Sequence, residues 1–241
     1  MTSHNFQIIY LLPNLFTAAS IFTAVISITA ATSGEFEKSA WLIFLSLIFD
    51  GLDGRIARLT HTTSKFGVEF DSLADIVSFG VAPAMLLYFY IGQSYGRFGT
   101  LVVAIFIIFG AIRLARFNVT SQNIDPKVFI GVPIPTAAIF VSVWVLMFLR
   151  YDSLNEYNWL LLVGTLFVSL LMVSNIRYSS FKKINLKKHM LTKILIVLIS
   201  FASLMYLYPV EGFTAIITLY MLWGVVRAIY TLARKKPPLH S

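Results

Sequence analysis

The chain is expected to fold as an all-α bundle of about eight membrane-spanning helices, and three observations say so. Of its 241 residues, 58% are hydrophobic and only 12% charged. Mean hydropathy is +0.80. The apolar residues fall into successive runs near 20 residues, the length a helix needs to cross the hydrocarbon layer. A soluble domain is closer to half apolar and a quarter charged. The composition therefore predicts one integral-membrane domain over residues 1–241. Cysteine is absent, which excludes disulfides and thiolate metal sites.

The runs can be taken in order. The first extends from about Gln7 to Thr32. No Lys or Arg occurs in the first eleven residues, and Pro13-Asn14 interrupts the place where a cleavable apolar region would begin. The run is therefore expected to remain in the mature chain. The second covers Ser39 to Arg58 and the third Ser64 to Gly92, joined by a short loop at Leu59–Thr63. The fourth covers Arg97 to Phe117. The fifth starts at Pro133, where proline suits a first helical turn, and ends near Leu149. The sixth, seventh and eighth cover Asn158–Ile176, Met190–Tyr208 and Gly212–Ala233.

An even number of spans puts both termini on one side of the membrane. The connections on that side hold 16 of the 19 Lys and Arg residues, leaving Lys38, Arg97 and Arg150 opposite. That bias predicts cytoplasmic termini. It also accounts for the net charge of +8 without nucleic acid. The basic run Phe181–Lys188 is read as a loop facing lipid headgroups.

Four aspartates break the apolar pattern. Asp50 and Asp53 lie in the last turns of the second helix, and Asp71 and Asp75 near the start of the third. Each would cost about 2.5–3.5 kcal/mol near the middle of a membrane helix. The spacings i, i+3 and i, i+4 put each pair on one helix face. Two adjacent helices then direct four carboxylates into one cleft, at one depth near the cytoplasmic surface. Such a cluster cannot ionise fully without cations. Two divalent ions would balance it, and the all-oxygen donor set favours Mg²⁺ or Mn²⁺ over Zn²⁺. Gly54, Ala57 and Gly67 lie one turn from these acids, so a flat base or a phosphate could approach the backbone. Arg58 offers a planar guanidinium suited to phosphate oxygens.

Written out, the pattern is Asp50-x2-Asp53-Gly54-x2-Ala57-Arg58-x8-Gly67-x3-Asp71-x3-Asp75. It resembles the signature of the CDP-alcohol phosphotransferases, D-x2-D-G-x2-A-R-x8-G-x3-D-x3-D, at all eight fixed positions. Within that family, the runs Phe66–Asp75, Ser78–Ala84, Arg113–Asn118 and Gly131–Pro135 are similar to the phosphatidylserine synthase branch. Pro13–Thr17 resembles the opening of the family's first helix. The resemblance spans about Pro13 to Pro135; the helices after Arg150 match only in being hydrophobic.

The resemblance implies transfer of a phosphatidyl group from CDP-diacylglycerol to the hydroxyl of L-serine, with release of CMP. It implies that Asp50, Asp53 and Asp71 are metal ligands. Asp75 would be both a ligand and the base that takes the serine proton. Gly54, Ala57 and Gly67 would make room for the cytidine part, and Arg58 would steady the diphosphate. A homodimer is implied by the family alone. Arg113, Arg116 and Asn118, at the cytoplasmic end of the fourth helix, are candidate contacts for the acceptor carboxylate or a phosphate; the simpler reading of the arginines is a charge anchor. Glu69 and Asn14 are candidates for the ammonium side, although Glu69 could also face water or pair with Lys65.

Other readings stay open at this point. Glycerol phosphate or inositol phosphate could be the acceptor. Intramembrane acids also mark cation transporters, but these four gather at one interface and do not form a series across the bilayer.

Overall fold

In the computed structural model, the described residues are 3–120, 128–175, 177–179, 203 and 207–234. They form eight α-helices, three short 3₁₀ or π segments and one small β-ribbon. Helix α1 (Ser3–Thr32) and α2 (Phe36–Leu59) make an antiparallel hairpin. α3 (Lys65–Asp75) runs through a π-helical stretch, Ile76–Val81, into α4 (Ala82–Tyr90). A 3₁₀ turn at Gly92–Tyr95 leads into α5 (Gly96–Thr120). α6 (Ile134–Arg150), a 3₁₀ stretch at Asp152–Tyr157 and α7 (Trp159–Val173) follow, and α8 is Pro209–Arg234.

The expected helices fall where the apolar runs placed them, apart from the seventh (Met190–Tyr208), nearly all of which lies outside the described residues, as does the basic run Phe181–Lys188. Among the described residues, four stretches are long and apolar enough to cross a bilayer: Leu11–Thr32, Lys65–Tyr90, Gly92–Thr120 and Pro209–Val226. α6 and α7 have 17 and 15 residues, so they rise only about 26 and 23 Å at 1.5 Å per residue. The all-α expectation holds, with one small ribbon added to it. β1 (Val128–Ile130) pairs antiparallel with β2 (Arg177–Ser179), Val128 opposite Ser179. This ribbon ties the segment before α6 to the segment after α7. Three-residue strands leave no alternating pattern long enough to read.

The helix ends explain the hairpin geometry. α1 closes with Gly34 N–H on Ala31 O and Glu35 N–H on Ala30 O, with Gly34 at φ +79°. α2 closes with the same pair of bonds, His61 N–H to Arg58 O and Thr62 N–H to Ala57 O. Here His61 holds the left-handed position at φ +55°, a place usually taken by glycine. That turn swings Thr62–Ser64 under the end of α2. Ser64 then caps α3 by accepting from Gly67 N–H at 2.9 Å.

The core is a continuous apolar cluster that includes Ile43, Phe79, Leu86, Leu87, Phe106, Ile134 and Phe148. It joins α2, the α3–α4 rod, α5 and α6 and supports the acid-bearing ends from below. Outward faces remain apolar, as at Leu219, Leu222, Trp223 and Val226 of α8. Such a surface suits lipid as its solvent.

Candidate active site

The end of α2 and the start of α3 bring the acids together as the spacing requires. Among the described residues, Asp50, Asp53 and Asp71 each offer a carboxylate oxygen, and these atoms lie within 4.8 Å of one another. That separation is close to the span of oxygens around one cation bound at the 2.0–2.6 Å typical of Mg²⁺ or Ca²⁺, so small side-chain shifts bring all three onto a single ion. The residues present thus fit a hard divalent ion. Asp75 stands one step aside, its carboxyl within hydrogen-bonding reach of Asp50.

Three further groups set the geometry. Thr17 of α1 donates from Oγ1 to Asp53 Oδ2 at 2.6 Å, and the same hydroxyl contacts Pro13 O at 3.2 Å. Asp53 itself is buried. Arg113 of α5 is also buried, with its guanidinium carbon 5.3 Å from the centre of the Phe117 ring and its charge near enough to act on Asp75. Arg58 also acts on Asp53 through its charge.

Beside the acids is a cavity of about 170 Å³, walled by α1 (Pro13, Asn14, Thr17), α2 (Asp53 to Arg58) and the loop and first turns of α3. Gly54, Ala57, Arg58 and Gly67 all line it. A Cβ on Gly67 would stand 3.2 Å from Ser64 Oγ and 3.6 Å from Asn14 Oδ1, so the wall is closed tightly there. At Gly54 the nearest atom would be Arg58 Nη1 at 3.5 Å. The volume is below the roughly 300–1,000 Å³ of a typical ligand pocket, so it has room for only part of a ligand of that class. A wider depression of about 550 Å³ lies at the other end of the hairpin, around Glu35, Lys38 and Trp41. It is remote from the acid cluster.

The acceptor candidates separate. Arg113 is buried over Phe117, and its charge acts on Asp75. Arg116, one turn on, donates to Val173 O at 3.2 Å, Ser174 O at 3.1 Å and Asn175 Oδ1 at 3.2 Å, so it caps the carboxyl end of α7. Asn118 donates to Ser72 Oγ at 2.9 Å and fastens α5 to α3. Asn14 lines the cavity with the glycines. Glu69 is exposed and is not among the cavity-lining residues.

A family model described as CDP-alcohol phosphatidyltransferase matches residues 10–171. The chain belongs to this family. CDP-alcohol phosphatidyltransferase membership makes it an integral membrane protein with a metal-dependent chemistry, consistent with the oxygen cluster above. Among its relatives is a CDP-diacylglycerol–serine O-phosphatidyltransferase of Helicobacter pylori, 49% identical over 94% of both chains. A protein of that name from Methanocaldococcus jannaschii is 43% identical over 51% of this chain and 57% of its own. One from Saccharomyces cerevisiae is 42% identical over 44% and 40%.

Sequence reasoning overlooked Thr17 and Thr62 as parts of the site. The signal for Thr17 was present: Thr17, Ser20, Thr23 and Ser27 recur at spacings of three and four along an otherwise apolar helix. A hydroxyl that orients a metal-binding carboxylate typically matters by about 10–100-fold. Thr17→Val keeps the volume and removes the bond, so it should lower the rate of CMP release by about tenfold or more. Thr17→Ser should restore most of it. A valine variant with wild-type rate and wild-type divalent-ion dependence would show that the bond has no bearing on the site.

Proposed function

We propose that this chain is a divalent-metal-dependent CDP-diacylglycerol–serine O-phosphatidyltransferase, acting at the cytoplasmic face of the membrane. The observation that carries the reading is the meeting of Asp50, Asp53 and Asp71 within 4.8 Å, with Asp75 and Arg113 alongside. The near full-length similarity to the Helicobacter pylori enzyme supports serine as the acceptor.

In this reading Asp50, Asp53, Asp71 and Asp75 hold two ions, Mg²⁺ or Mn²⁺. Bound there, they would supply positive charge against the diphosphate and the departing CMP oxygen. The cavity takes the cytidine-bearing end, with Gly54, Ala57 and Gly67 permitting close approach and Arg58 steadying phosphate oxygens. Asp75 accepts the proton from the serine hydroxyl. The hydroxyl oxygen forms a bond to the lipid-bearing phosphorus, and the bond from that phosphorus to CMP breaks. Phosphoryl-type transfer asks for alignment and charge neutralisation more than covalent help, and the acid cluster is suited to both. The lipid chains stay in hydrocarbon while the head meets a water-soluble amino acid. Eight spans, cytoplasmic termini and a homodimer complete the proposal.

Arg113 is assigned to the serine carboxylate. Arg113→Ala should raise the serine KM by about tenfold or more, the scale of losing a charge-assisted bond, with a much smaller change for CDP-diacylglycerol. An unchanged serine KM would refute the assignment.

The test of the whole reading is purified protein in detergent with CDP-diacylglycerol, a divalent-ion series and candidate acceptors. CMP and phosphatidylserine should form with serine and Mg²⁺ or Mn²⁺, and chelator should stop the reaction. CMP release with glycerol phosphate but not with serine would defeat it.

A further inference from the structure

One turn below the acids, buried hydroxyls form a second layer. Ser20 of α1 is three residues beyond Thr17. Its Oγ lies 3.0 Å from Ser78 Oγ in the π stretch and 3.2 Å from Ser46 O on α2. Ser46 Oγ returns a bond to Ser20 O at 2.9 Å and meets Thr23 Oγ1 at 2.7 Å. Ser20, Ser46 and Ser78 are all buried. Ser46 is one helical turn before Asp50, and Ser78 is three residues after Asp75. Ser20 is therefore a node where α1 touches both acid-bearing helices.

The π stretch makes the node consequential. It closes with Ala82 N–H on Val77 O, an i→i+5 bond, and a π turn of this kind inserts an extra residue that re-aims the helix before it. Here the helix before it is α3, which carries Asp71 and Asp75. The stretch is held from a second side by Ile134. A Cβ on Gly80 would stand 3.7 Å from Ile134 Cδ1, and one on Gly110 of α5 only 2.7 Å from the same atom. Ile134 thus packs against Gly80 and Gly110, while Ser20 grips Ser78.

We infer that Ser20, through its bonds to Ser78 and Ser46, is a positioning residue that sets where the Asp50 and Asp75 carboxyls stand. The inference rests on the reading that those acids form the ion-holding and reacting centre. The bonds keep α2 and the π stretch in fixed rotation about α1. Losing them lets the acids drift apart without removing a single ligand.

A matched control lies in the same seam. Ser27 donates to Ser39 O at 2.8 Å and meets Ser39 Oγ at 2.9 Å, equally buried and two turns farther from the acids. The experiment compares wild type with Ser20→Ala, Ser78→Ala and Ser27→Ala. It reads Mn²⁺ binding by electron paramagnetic resonance on substrate-free protein, thermal stability, and the split between kcat and KM. Ser20→Ala and Ser78→Ala should weaken Mn²⁺ binding about tenfold, the low end for outer partners of a metal site. They should lower kcat and leave the serine KM unchanged. Ser27→Ala should lose comparable thermal stability and keep both Mn²⁺ affinity and kcat. Should Ser20→Ala not fold, Ser78→Ala decides alone, because it leaves Ser20 its bond to Ser46 O. Wild-type Mn²⁺ affinity in the folded Ser20 and Ser78 variants, or an equal loss in Ser27→Ala, would overturn the inference. Absence of Mn²⁺ binding by the wild type would instead strike the functional reading itself.

Discussion

Asp75→Asn is expected to cut CMP release by about 10³-fold, within the range for losing a general base, while the protein stays folded. Asparagine has nearly the same shape, so packing against Asp50 is kept. It carries no charge and cannot take the hydroxyl proton. Asp75 also differs from the other three acids in place: it stands outside the trio whose oxygens lie within 4.8 Å and faces Asp50 and Arg113. Its loss should therefore damage turnover more than it damages ion binding at that trio. Asp71→Asn is the contrast, since it removes a member of the trio and should weaken Mn²⁺ binding first. In chelator, Asp75→Asn should melt at or above the wild-type temperature, because one of several crowded like charges is gone. Such a gain in stability at the expense of activity is common at active sites. A variant retaining more than about a tenth of the wild-type rate would remove Asp75 from the role of base.

The second large effect concerns stability and lies away from the acids. Gly131→Ala should destabilise the fold by on the order of 4 kcal/mol, a size reached when backbone strain and a clash combine. Gly131 has φ +77°, and an added Cβ would stand 2.3 Å from Met172 O and 3.2 Å from Ser174 O. Those are backbone atoms at the end of α7, and they are pinned. Val132 N–H bonds Leu171 O at 3.2 Å, and Arg116 holds Val173 O and Ser174 O. The β-ribbon fastens the same two segments together. Nothing in this corner can yield to make room. The check is fluorescence-detected size exclusion after a temperature ramp in one detergent. A melting temperature within about 2 °C of wild type would mean that the loop after β1 has slack which the contacts deny.

The helices and the acid cluster were legible because each rests on a local rule. Among the described residues, hydropathy located the helices to within a few residues, and the i, i+3 and i, i+4 spacings fixed which acids share a face. What escaped depends on partners distant in sequence. Asp53 gives no hint that its second oxygen is met by Thr17, 36 residues earlier. Arg113 and Arg116 look alike in the sequence, yet one packs on Phe117 facing Asp75 and the other caps α7. The helical rotation of about 300° between them decides that difference, together with where α7 ends. The π stretch was hidden for another reason. Ile76–Val81 is mostly apolar like the helix on either side of it, and a residue inserted into a helix changes no local composition. The motif Gly131–Pro135 stands out in the sequence, but its role depends on the far end of α7.

The cavity has a wall that the eight signature positions do not supply. Pro13, Asn14 and Thr17 come from the first helix, so the acid-bearing hairpin is not a portable cassette. Transplanted into another scaffold, it would carry all four acids and still lack the cavity's third side. Shortening the chain from the amino end should accordingly show a sharp threshold just before residue 13, with loss of function arriving well before loss of the hairpin.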